Sequence, residues 1–217
     1  MIRIRFGLLT KTAGKNTVPA LIFLLVFLFT YWSNPSLVPK LSPDSLGYWS
    51  IAQNLGVQNE DASIRPWLFP LFIKFCMLIS QENWQTTLSF IQIIFHSLIT
   101  TLLFSLFKNY KLNIIISFIF ALIIGFNPNL QVYTTYVLTD LMLAVLTTLS
   151  WFYILRINHE IGWNYNLIFF ASLCCALCIL TKPVGLLMIF PFLVSIYLVK
   201  GYSSSFLKIS IIMCIIN

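Results

Sequence analysis

Long uncharged apolar runs alternate with short polar breaks along this chain, at Asn16–Pro39, Asn83–Phe107, Leu112–Thr139, Leu141–Leu155, Ile161–Thr181 and Pro183–Val199. A helix needs roughly 17 to 25 apolar residues to cross a bilayer. The runs therefore predict membrane helices near 18–33, 85–107, 112–127, 137–155, 165–181 and 184–199, with a partial seventh over 207–217. The fourth run is short and reaches crossing length only if it begins near Tyr136, with Asp140 one turn inside. No repeat period or low-complexity tract interrupts the pattern. The expected fold is all-α, a polytopic transmembrane helical bundle forming a single membrane domain over 1–217.

Two stretches depart from this pattern. Ser42–Leu55, S-P-D-S-L-G-Y-W-S-I-A-Q-N-L, places Tyr48, Ile51, Ala52 and Leu55 on one face of a short amphipathic helix. Arg65–Ser80 is apolar but short, carries Lys74, and has prolines at its start and inside it. Charge decides whether it crosses, because lysine and arginine collect in cytoplasmic loops. With the segment at the surface, Arg3, Arg5, Lys11, Lys15, Lys108, Lys111, Arg156, Lys200 and Lys208 lie inside, against Lys40, Arg65, Lys74 and Lys182 outside. A crossing would move the last five of the inside set out. Arg65–Ser80 is therefore expected as an interfacial or re-entrant helix, held at headgroup level by Trp67, Phe69 and Phe72. The N-terminus then lies inside, and residues 34–83 form an outer loop with interfacial helices near 44–55 and 66–79. Asp44, Glu60, Asp61, Glu82 and Asp140 share that outer side with Arg65 and Lys182.

Composition agrees with the membrane reading. Of 217 residues, 59% are hydrophobic and 9% charged, with a mean hydropathy of +0.90, whereas water-soluble domains carry about a quarter charged residues. The net charge of +7 reads as loop orientation, and nucleic acid is set aside as a partner. The basic N-terminus and the run Val18–Trp32 resemble a signal peptide, but no small-residue cleavage site follows, which points to an uncleaved first span. Cys174, Cys175 and Cys178 lie in an apolar run with no nearby acid or histidine, and core packing is their expected role. His96, mid-span, is read as a helix–helix hydrogen-bonder. His159 and Glu160 read as a solvated face.

Four residues carry candidate chemistry. Asp44 is either part of a helix cap with Ser42, with Pro43 in the first turn, or a general base that takes the proton of an attacking hydroxyl. Arg65 either snorkels to water or grips a phosphate with its planar fork. Asp140 enters an apolar run at a depth where acids are costly and seek a cation. Lys182, before a helix-breaking proline, is a snorkelling loop lysine, a structural partner of Asp140, or a phosphate contact.

The segments P-D-S-L-G-Y-W-S-I-A-Q-N-L, R-P-W-L-F-P-L-F, N-P-N-L-Q-V-Y-T-T-Y-V-L-T-D-L-M and L-T-K-P-V-G-L-L-M-I-F-P, in this order, resemble successive motifs of the multi-spanning glycosyltransferases of the GT-C fold. The branch is similar to the dolichyl-phosphate-mannose protein mannosyltransferases and the bacterial lipid A aminoarabinose transferases, over roughly residues 18 to 200. The resemblance implies Asp44 as the catalytic base, and Arg65, Asp140 and Lys182 as substrate contacts; Tyr48, one turn on from Asp44, is expected as a further substrate contact. Asp140 stands where the family has glutamate and Lys182 where it has arginine; both keep the charge, but lysine lacks the bidentate fork. Implied partners are a polyprenyl-phosphate sugar donor, a lipid, glycan or protein acceptor, and membrane lipids, at the outer face of a bacterial inner membrane. No organic cofactor is implied, and a divalent metal ion is left open, with its ligands unassigned. Family members are usually longer, and the chain closes inside an apolar run, so an N-terminal portion of a larger enzyme is expected. The alternative class is a non-catalytic membrane protein, a lipid-glycan transporter or assembly subunit; a transporter would be expected to show internal repeats.

Overall fold

A computed structural model describes residues 7–55, 65–159 and 164–200. Arg3, Arg5, Glu60, Asp61, Glu160, Lys208, Cys214 and the expected partial seventh span lie outside these residues. Within them the fold is all-α: α1 (Gly7–Ser33), α2 (Pro43–Gln53), α3 (Leu68–Ile79), α4 (Trp84–Asn109), α5 (Ile114–Gly125), α6 (Asp140–His159), α7 (Tyr165–Thr181) and α8 (Ile189–Lys200).

α4 and residues Asp140–Ile157 of α6 are long and apolar enough to cross a membrane; α5 with the segment Pro128–Thr135 makes a third if that pair, bent by 52°, is taken together. Thr17–Ser33, Tyr165–Thr181 and Pro183–Tyr197 are apolar but shorter. The seventeen residues of α7 rise about 25 Å, less than a hydrocarbon core of about 30 Å. Apolar side chains nonetheless cover the outer faces: Leu21, Leu24, Leu25 and Leu28 on α1, Ile115, Ile119 and Ile123 on α5, and Phe169, Phe170 and Leu173 on α7 are exposed. Faces of this kind belong in lipid rather than water, and the chain is a membrane protein.

The bend after α5 has a local cause. Asn127 accepts from the Asn129 amide at 2.9 Å and Pro128 begins a new helical turn, so the chain restarts at an angle. The break frees the Gly125 carbonyl, which accepts from His96 Nε2 at 2.9 Å and Gln131 Nε2 at 3.3 Å. His96 therefore serves as a helix–helix hydrogen-bonder.

Three groups of buried residues hold the helices together. Val145, Ile154, Ile168, Cys175, Cys178, Phe192 and Ile196 join α6, α7 and α8. Ile22, Val26, Phe104 and Ala121 join α1, α4 and α5. Tyr48, Ala52, Phe69, Ile73, Cys76, Trp84, Leu88 and Val137 seat α2 and α3 against the end of α4. The thiols of Cys174, Cys175 and Cys178 are free and buried.

α7 ends at Lys182, and Pro183–Met188 form a 3-10 turn folded back on it. A Cβ on Gly185 would collide with the Cys178 main-chain carbonyl. Backbone cannot give way as a side-chain tip can, so Gly185→Ala should lower stability by about 1–3 kcal/mol. An unchanged thermal midpoint for the detergent-solubilised variant would contradict this packing.

Candidate active site

The site begins with the cap of α2. The Ser42 hydroxyl accepts from the Ser45 amide at 3.3 Å, and the Ser45 hydroxyl accepts from the Ser42 amide at 2.9 Å, a reciprocal capping box with Pro43 at the first helical position. The cap is thus made by the two serines. The Asp44 carboxylate is left for other work, and its side chain is 70% exposed.

Arg65, which the chain delivers just before α3, lies along α2. Its Nη2 donates to Asp44 Oδ1 at 3.4 Å and its Nη1 to the Asp44 carbonyl at 3.3 Å. Its guanidinium carbon stands 4.9 Å from the centre of the Tyr48 ring, a cation–π arrangement. Tyr48 is itself buried and packs edge-on against Phe69 at 5.3 Å between ring centres, so the surface under the arginine is rigid.

A second acid–cation pair is carried by the start of α6 and the end of α7. Asp140 sits in the first turn of α6, where the helix dipole favours a carboxylate. Lys182, at the end of α7, reaches it with Nζ at 2.9 Å from Oδ1. Both side chains are about two-fifths exposed, 41% for Lys182 and 39% for Asp140, so the pair is open to a ligand. The hydrogen bond to Asp140 raises the Lys182 pKa above the ordinary lysine value, partial burial opposes this, and Asp140, Tyr48 and Asp44 raise it further through their charges.

Backbone pairing joins the stretches that lead into the two acids. The Lys40 amide donates to the Thr135 carbonyl at 2.6 Å and the Val137 amide to the Lys40 carbonyl at 3.3 Å, an isolated parallel bridge between Lys40 and Tyr136. The buried Ser45 hydroxyl donates to the Val137 carbonyl at 2.8 Å, and Gln92 Nε2 on α4 donates to the Tyr136 carbonyl at 3.0 Å. The strand-like stretch before α2 is thereby fastened to the stretch before α6, and Asp44 and Asp140 are carried on connected backbone. Sequence reading missed Ser45, Gln92 and Tyr136 in this role; the S-P-D-S spacing was the available signal for Ser45.

Beside Asp140 a groove of about 150 Å³ runs between helices, lined by His96, Ile99, Ile124, Leu130, Tyr133, Leu141 and Ala144. With Asp140 among its lining residues, it is almost wholly apolar. Among the described residues no group of three or more His, Cys, Asp or Glu side chains is arranged to hold a metal ion.

A family model described as dolichyl-phosphate-mannose-protein mannosyltransferase matches residues 64–214 of the chain. The match takes in Arg65, Asp140 and Lys182, and begins after Asp44 and Tyr48. No curated protein and no solved structure matches.

Proposed function

We propose that this chain, which belongs to the dolichyl-phosphate-mannose-protein mannosyltransferase family, moves a sugar from a polyprenyl-phosphate carrier to a hydroxyl of a lipid, glycan or protein at the extracytoplasmic face of a bacterial inner membrane. The observation that carries this reading is the pairing of Arg65 with Asp44 and of Lys182 with Asp140, on stretches joined by the Lys40–Tyr136 bridge. A polyprenyl phosphate needs cations for its headgroup and an apolar path for its chain. The apolar groove that Asp140 helps to line supports the second requirement.

In this mechanism the acceptor oxygen bonds to the anomeric carbon as the bond from that carbon to the phosphate oxygen breaks. The acceptor proton passes to the Asp44 carboxylate. The bonding electron pair leaves with the polyprenyl phosphate, whose added charge is met by Arg65 and Lys182. Direct displacement of this kind inverts the anomeric centre. Asp140 orients the Lys182 ammonium, and Tyr48 backs Arg65 and contacts the substrate. Asp44 suits the base role because its carboxylate is exposed and the helix cap does not depend on it.

The N-terminus is assigned to the cytoplasm, and α2, α3 and the two ion pairs to the outer face. With native cysteines replaced, a cysteine at Gln81 should react with an impermeant thiol reagent added outside intact cells, and one at Lys111 should not. The opposite pattern would reverse the side on which the reaction occurs.

Asp44→Asn preserves size and leaves the Ser42–Ser45 cap intact, yet it removes the proton acceptor. Assayed in membranes carrying the complete gene product, it should insert normally and lose transfer from a polyprenyl-phosphate sugar by about two to four orders of magnitude. Near-normal turnover in Asp44→Asn would remove Asp44 from the chemistry.

A further inference from the structure

α2 is eleven residues long and carries a glycine, Gly47, in its interior. Glycine is the poorest helix former after proline, so its presence in a short helix needs a reason. Backbone conformation does not supply one, since Gly47 has no positive φ of the kind that favours glycine. Space does. A Cβ at position 47 would lie 2.8 Å from both Cζ and Nε of Arg65 and 3.0 Å from its Nη2. Its three nearest neighbours all belong to one guanidinium, and none is backbone.

Asp44, Gly47 and Tyr48 stand at i, i+3 and i+4 and so share one face of α2. The guanidinium lies along that face, bonded to Asp44 at one end and over the Tyr48 ring at the other. We propose that Gly47 is a positioning residue: its bare Cα forms the seat that holds the Arg65 fork between Asp44 and Tyr48. Any side chain at 47 lifts the fork off the helix. Tyr48, under the other end of the fork and braced by Phe69, cannot retreat to accommodate it. The value of this seat for binding rests on the proposed phosphate role of Arg65; the seat itself does not.

Gly47→Ala tests the seat cleanly, because alanine improves the helix while removing the space. Two readouts separate the seat from its use. In the complete protein, modification of Arg65 by phenylglyoxal, followed by peptide mass spectrometry, should be several-fold faster in Gly47→Ala, with helix content and thermal midpoint equal to or above the wild type. Unchanged modification would overturn the seat, whatever the protein's reaction. Binding of geranyl phosphate should weaken on the order of ten- to a hundredfold in Gly47→Ala, the loss expected for displaced charge-assisted hydrogen bonds. Arg65→Ala should weaken it as well, and adding Gly47→Ala to Arg65→Ala should change nothing further. Full additivity of the two would overturn action through Arg65. Undiminished binding in Arg65→Ala, with modification of wild-type Arg65 still controlled by position 47, would instead overturn the phosphate role and leave the seat standing.

Discussion

The arrangement of this protein depends on one short piece of backbone pairing, the parallel bridge between Lys40 and Tyr136. Neither partner belongs to a helix. Both lie on stretches that would otherwise expose unpaired amides and carbonyls at the edge of an apolar bundle, where each unpaired group is costly. Joining them satisfies those groups and also fixes geometry. The stretch ending at Lys40 leads directly into α2 and Asp44, and the stretch holding Tyr136 leads directly into α6 and Asp140. Ser45 and Gln92 add side-chain bonds to the same strip. Two acids nearly a hundred residues apart in the chain are thus held on connected backbone.

What that strip holds is a small set of charges in a chain with few of them. A lone carboxylate or ammonium at a membrane edge is expensive, and each of the four finds an opposite partner: Asp44 with Arg65, Asp140 with Lys182. Both pairs stay partly exposed, so neither is sealed as a purely structural bridge would be. In the proposed reaction an anionic headgroup takes over the cations' bonds without first unburying them.

Much of this was legible in the sequence, for physical reasons. The all-α class follows from long uncharged runs that only helices can satisfy in lipid. The costs of Asp140 and Lys182 in apolar surroundings marked both, and their pairing was one of the readings open. Family membership was legible in the order of the motifs, and the family match supports it. The choice between capping and free carboxylate at Asp44 was not legible, because serine, aspartate and proline are all compatible with a helix start; only the Ser42–Ser45 bonds decide it. The Lys40–Tyr136 bridge was invisible as well, since it is made by main-chain atoms and leaves no residue signature. Gly47 carries no signal of its own in the sequence, because the side chain that lies over it is eighteen residues away.

The proposed reaction needs the two ion pairs to open onto one site. Cysteines placed at Asp44 and Lys182 in the complete protein, with the native cysteines replaced, can be probed in membranes with a short bis-methanethiosulfonate. These two positions should cross-link rapidly within one chain, and a bound polyprenyl phosphate should block the reaction, while a cysteine pair at Asp44 and Tyr165 should not cross-link. Failure of the first pair to cross-link, with each cysteine singly reactive, would place the two ion pairs on separate surfaces and rule out a shared phosphate site.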